Sequence, residues 1–306
     1  MVHEHTITLR GPALDGPGVS GHLLRDLFGV LVQGAEQSLR FRLEGRSTFR
    51  GTQPAWLRSA ADFQMLEIER ARGSRTLKLE ALSLLESMPD RFEQGTLFDD
   101  FDPRRSPLAF FEDALESALA GDEDSERFDH SLLQTCAEFK GVLAAGIDEL
   151  EIQNGRHVVV EPASLERALR LSRVHYASRT VRLAGRLDTI SYSDCRFTLV
   201  LQNGARIAGT ARDLGADALH SHFGKNVVVT GTADFRPSGR LLRLNAEDVD
   251  PATKNEMQIF TSVPRPLLGP PVVEREAVKG GLAAIAGRWP GEESIEELLL
   301  QLKALG

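Results

Sequence analysis

The sequence predicts an α+β protein: an N-terminal helix/hairpin domain, a five-stranded β-barrel, a Pro-rich linker and a C-terminal helix. Three observations predict this. Apolar residues recur at helical spacing over 20–45, 107–121 and 129–145. Short alternating runs between these stretches meet at turn residues, without the regular strand–helix alternation that a parallel sheet needs. From Thr180 the order changes to strand, strand, strand, helix, strand, strand within about 70 residues.

The boundaries follow the same changes of pattern: 1–178, 179–250, 251–280 and 281–306. At 306 residues the chain has room for two domains, and 42% hydrophobic with 26% charged residues is an ordinary globular composition. No apolar run is long enough to span a membrane, and MVHEHTITLR lacks the basic-then-apolar form of a secretory signal. Two cysteines, Cys136 and Cys195, cannot build a disulfide framework or a four-cysteine zinc site. The expectation is a soluble, reduced, cytoplasmic protein. Charge divides unevenly: 1–178 carries 20 basic and 29 acidic residues, 179–250 carries 10 and 8, and 251–306 carries 6 and 7. Only the middle segment leans basic, and far less than a dedicated nucleic-acid domain usually does.

In chain order, His5–Arg10 alternates as a strand. Ser20 then caps an amphipathic helix through Leu23, Leu27, Leu31, Ala35 and Leu39, which Gly45 closes. Phe63–Ala71 and Thr76–Leu82 form a hairpin around Gly73. Pro107 opens a helix that Gly121 ends, and a second helix runs from Asp129 to Ala145. Glu149–Gln153 and His157–Glu161 meet at Asn154-Gly155, a pair that favours a type I′ turn. Ser164 starts a helix to Val174. The acidic excess between Glu86 and Asp129 includes DRFEQGTLFDDFDP and GDEDSERFD, which read as solvated loops flanking helices. Asp99, Asp100 and Asp102 lack the Gly and terminal Glu of a calcium loop.

The middle segment opens with a long strand, TVRLAGRLDTISYSD, bearing a central glycine, and places a short helix, DLGADALHSHFG, between its third and fourth strands. This order resembles the OB-fold barrel. The resemblance implies a surface for single-stranded nucleic acid, built from a basic groove and aromatic platforms. The candidates are Arg182, Arg186, Tyr192, Arg196, Arg206, Arg236 and Arg240, with Arg243 and Phe197 beside them. Phe197 sits in the alternating FTLVL run and reads as core, while Asp188, Asp194 and Asp234 interleave with the arginines.

No catalytic set, metal site or cofactor is predicted. The chain has no P-loop, GxSxG elbow, HExxH or CxxC. His220 and His222 are spaced to point apart on a helix, and His3 with His5 sits at a terminus expected to be mobile. Cys136 lies on an apolar helix face as a small hydrophobe. Cys195 has no activating histidine nearby in sequence.

After Asp250, TSVPRPLLGPPVVERE holds four prolines in 16 residues, the composition of a stiff extended connector. Beyond it, Trp289-Pro290-Gly291 makes a corner. Ser294 with Glu297 forms a capping box, and Ile295, Leu298, Leu299, Leu302 and Leu305 form an apolar stripe. GRWPGEESIEELLLQLKAL resembles the C-terminal tail of bacterial antitoxins that pair with PIN-domain ribonuclease toxins. The resemblance covers about 25 residues, while the preceding region shows no ribbon-helix-helix or swapped-hairpin DNA-binding domain. It implies a non-catalytic partner-binding protein that restrains a PIN-type nuclease. Arg288 is the residue implied to reach the nuclease's acidic site. Trp289, Pro290, Ile295, Leu298, Leu299 and Leu302 are implied as anchors. Nucleic-acid binding through the barrel is the alternative.

Overall fold

The computed structural model describes residues 2–48, 53–92, 102–191, 195–211 and 214–269. It is a mixed α+β structure with a closed five-stranded barrel. The N-terminal region begins with strand β1 (Val2–Arg10). Helix α1 (Gly21–Glu44) and helix α2 (Ala55–Ala60) precede the hairpin of β2 (Phe63–Ala71) and β3 (Ser74–Leu82). Two short helices follow, α3 (Leu84–Ser87) and α4 (Pro89–Phe92), then α5 (Pro107–Ala120), α6 (His130–Ala137) and α7 (Phe139–Ala144). Strands β4 (Glu149–Gln153) and β5 (His157–Val160) and helix α8 (Pro162–Arg173) complete it. The sheet order is β2-β3-β1-β4-β5, and its pairings are antiparallel.

β1 is therefore the central strand, although it lies at the chain terminus. Its pattern buries Ile7 and Leu9 on the face where Leu77, Leu79, Leu150, Ile152, Val158 and Val160 also lie. Helix α1 lays its Leu23, Leu27, Leu31 and Ala35 stripe into the same core, and α5 adds Leu108, Phe111, Ala114 and Leu115. His5, expected at a mobile end, is fully buried. Its Nδ1 lies 2.5 Å from Glu112 Oε1 and its Nε2 2.9 Å from Ser106 Oγ. Ser106 also caps α5 by accepting the Ala109 amide.

Three local expectations change. The helix expected over 129–145 breaks at Glu138 into α6 and α7. The helix expected from Ser164 starts at Pro162, because Ser164 serves as the third helical residue of a capping box with Glu161. Asn154-Gly155 does not make a type I′ turn: Gln153 pairs with His157 across a three-residue loop, and only Gly155 takes a positive φ, of 65°. A glycine in the left-handed region is what such a loop needs.

The barrel consists of β7 (Arg179–Ser191), β8 (Arg196–Leu201), β9 (Arg206–Thr210), β10 (Asn226–Phe235) and β11 (Leu241–Pro251), after a short β6 (Tyr176–Ala177). Helix α9 (Ala216–His220) lies between β9 and β10. Counting the five barrel strands along the chain, the closed order is 1-2-3-5-4, with the third strand parallel to the fifth. This is consistent with an OB-like barrel. β7 closes it by pairing with β10 over its first half and β8 over its second. Val181, Leu183, Phe197, Leu199, Val229 and Leu244 fill the interior. Gly209 is required there, because a Cβ would stand 2.3 Å from the Phe197 ring.

The stretch expected as an extended connector carries helix α10 (Lys254–Ile259), started by a Thr253/Glu256 capping box, and strand β12 (Leu267–Leu268), which pairs with β6. Residues 1–270 form one unit. Among the described residues no helix is long and apolar enough to cross a membrane.

Candidate functional site

Alternation along β8 and β9 sends Phe197, Leu199 and Ile207 into the barrel and leaves Arg196, Thr198, Arg206 and Ala208 on its outer face. Where this face meets the N-terminal region, a cleft of about 240 Å³ opens. Five arginines line it: Arg196 and Arg206 from the β8–β9 face, Arg236 and Arg243 from the β10–β11 hairpin and β11, and Arg42 from α1. One carboxylate, Glu126, lines it with them. Two of these guanidiniums are ion-paired, Arg206 with Asp188 and Arg236 with Glu126, and the partly enclosed space screens the lining charges less than bulk water does.

The walls hold together through contacts between barrel and N-terminal region. Arg243 lies over the Phe41 ring at 5.1 Å and donates to the Phe41 carbonyl at 3.4 Å. This puts a cation at the carbonyl end of α1, where the helix dipole favours it. The helix ends at Gly45 with φ 80°, and a Cβ there would stand 2.0 Å from an Arg243 nitrogen. Arg236 donates to the Asp124 carbonyl at 2.6 Å and to Glu126 at 2.5 Å, while Arg240 pairs with Asp124 at 3.0 Å.

The other arginines nominated from sequence lie elsewhere. Arg182 stacks on Phe260 at 4.6 Å and pairs with Glu256 at 3.1 Å, so α10 takes it up. Arg186 and Arg206 share Asp188, at 2.8 and 2.9 Å. The cleft thus gathers Arg196, Arg206 and Arg236 of the nominated set, leaves Arg182 outside it, and does not include Arg186 or Arg240 in its lining. Phe197, read as core, is 2% exposed. Tyr192 lies outside the described residues, as do Arg288, Trp289, Pro290, Ile295, Leu298, Leu299 and Leu302. Arg42 and Glu126 belong to the cleft without any sequence signal, since each sits in a segment read for its helix or loop alone.

A second cavity of about 480 Å³ adjoins β11, lined by His130, His175, Asp129, Asp234, Tyr176 and Asn245 among others. The two imidazoles face each other with centroids 4.2 Å apart. Burial pushes the Asp234 carboxyl up, while hydrogen bonds from Ser178 and Asn245 oppose that rise. Among the described residues no group of three His, Cys, Asp or Glu side chains is arranged to hold a metal ion. Burial pushes the Cys136 thiol well above its ordinary range, which disfavours the nucleophilic thiolate. Cys195 stands in a left-handed turn with φ 52° ahead of β8.

Comparison with protein-family models, with curated proteins and with solved structures gives no match.

Proposed function

We propose that the chain is a nucleic-acid-binding protein that takes the phosphate backbone of a single strand into the arginine cleft of its barrel. The observation that carries this reading is the cleft lining, in which the described residues place Arg42, Arg196, Arg206, Arg236 and Arg243 with one acid, Glu126. Described aromatics do not form a stacking platform on this face, because Phe197 is interior. Recognition therefore runs through phosphates and is largely indifferent to sequence. Binding of a fluorescein-labelled oligothymidylate, followed by anisotropy, is expected to weaken steeply with salt. Each phosphate contact contributes a slope of roughly 0.7 for single strands. Arg196→Glu with Arg206→Glu is expected to remove the binding. Salt-insensitive binding, or full binding by the double variant, overturns the reading.

A second reading is supported by the tail sequence, with Arg288 and Trp289 ahead of the Ser294/Glu297 capping box and the leucine stripe. In it the tail seats on a PIN-type nuclease and restrains it. A pull-down from the host, full-length against a chain ending at Lys279, tests it. A small acidic-site nuclease recovered only with the full chain supports it, and equal recovery with both overturns it.

A further inference from the structure

The barrel loop between β10 and β11 is already occupied by an acidic segment of the same chain. Residues 122–126, Asp-Glu-Asp-Ser-Glu, leave the end of α5 at Gly121 and lie against Arg236–Arg240. The Ser238 amide donates to the Glu123 carbonyl at 3.1 Å, and the Ser238 hydroxyl donates to the Asp124 carboxylate. Arg240 pairs with that carboxylate, and Arg236 reaches both the Asp124 carbonyl and the Glu126 carboxylate. Carboxylate and carbonyl oxygens here accept from guanidiniums, as phosphate oxygens can. Among the described residues Glu126 is the one acid lining the arginine cleft.

From this geometry we infer that the 122–126 loop is a built-in competitor of nucleic acid and that Glu126 sets how tightly the cleft takes a phosphate. The inference rests on the nucleic-acid reading of the cleft. The acid can be displaced from its side of the contact: the Glu126 side chain is 74% exposed, while its partner Arg236 is only 16% exposed and stays in the cleft wall. Water reaches the carboxylate, so salt screens the pair in part. Phosphates that enter the cleft swing Glu126 out and take over Arg236, while the Ser238 amide and hydroxyl bonds to Glu123 and Asp124 keep the loop attached. A strand that offers several phosphates at once can outcompete the loop, whereas a lone phosphate meets the loop on nearly equal terms. Glu126 therefore selects for polyanions.

Full-length Glu126→Gln tests this, with oligothymidylate anisotropy at low salt as the readout and Glu123→Gln as control. Glu123 meets the barrel through its main-chain oxygen, so its substitution changes net charge equally without touching the contact. Glu126→Gln is expected to bind about three- to fivefold tighter, at the upper end of what a surface ion pair contributes because Arg236 is largely buried, and Glu123→Gln to bind as the parent does. Equal gains in both variants overturn the inference, because net charge then accounts for them. Unchanged affinity in Glu126→Gln, with binding still lost in the Arg196/Arg206 variant, overturns it and leaves the cleft reading standing. Absence of salt-dependent binding in parent and variant overturns both.

Discussion

His130 and His175 lie with ring centroids 4.2 Å apart, and among the described residues neither ring nitrogen of His130 finds a hydrogen-bond partner. The pair joins α6 to the segment that enters the barrel. Two neutral imidazoles tolerate this contact, and two imidazolium ions do not, since like charges so close repel strongly in a part-buried setting.

A pH dependence follows. Burial, with His175 adding to it, lowers the His130 imidazole to about 4, while Asp129 pulls weakly the other way. In the unfolded chain the ring titrates near 6.5. Between those values the unfolded chain takes up a proton that the folded chain refuses, so the contribution of His130 to stability falls as pH drops from about 6.5 toward 4 and is constant below that. Thermal unfolding at pH 7 and pH 5 checks this. His130→Phe, which keeps a ring and cannot titrate, is expected to lose less on acidification than the parent. An identical loss in both would assign the pH dependence to other groups.

Packing of α1 against α5 makes the second prediction. A Cβ at Gly34 would stand 2.4 Å from the Phe111 ring, which is fully buried and stacks beside Phe139. Gly34→Ala gains helix propensity but overpacks the core, at a net cost of roughly 1–3 kcal/mol. Chemical denaturation checks this, and adding Phe111→Leu is expected to recover part of the loss. A more stable Gly34→Ala protein would mean that the helices separate without strain.

The third concerns the buried His5. With Glu112 accepting from Nδ1 and Ser106 Oγ 2.9 Å from Nε2, both ring nitrogens have a hydrogen-bond partner. Glu112→Ala strands a buried donor and is expected to cost roughly 1–3 kcal/mol for that group alone. Glu112→Gln keeps an acceptor at the same reach and is expected to cost less. Equal losses in urea unfolding would place the cost in helix packing rather than in the hydrogen bond.

Much of the architecture was legible in the sequence. The Ser20–Gly45 helix, the Pro107–Gly121 helix and the barrel's order of strands and helix all appear where periodicity and caps indicated. Helices α2, α3, α4 and α10 were not read, because four to six residues hold too little periodicity to distinguish them from loop. The break at Glu138 was missed because the apolar stripe continues across it through Cys136 and Phe139.

The arginines divide along the same line. Their number in 179–250 was plain from the chain, and so was the alternation that turns Arg196 and Arg206 outward. Which of them line the cleft was decided by packing: α10 took Arg182 away from it, while contacts with α1 and with the acidic loop hold Arg243 and Arg236 in its wall. Helix and strand follow from sterics and hydrophobic spacing over a few residues, so a linear reading reaches them. The cleft depends on contacts such as Arg236 with Glu126, 110 residues apart, which join residues packed around two different core clusters and so leave no mark in any local stretch of sequence.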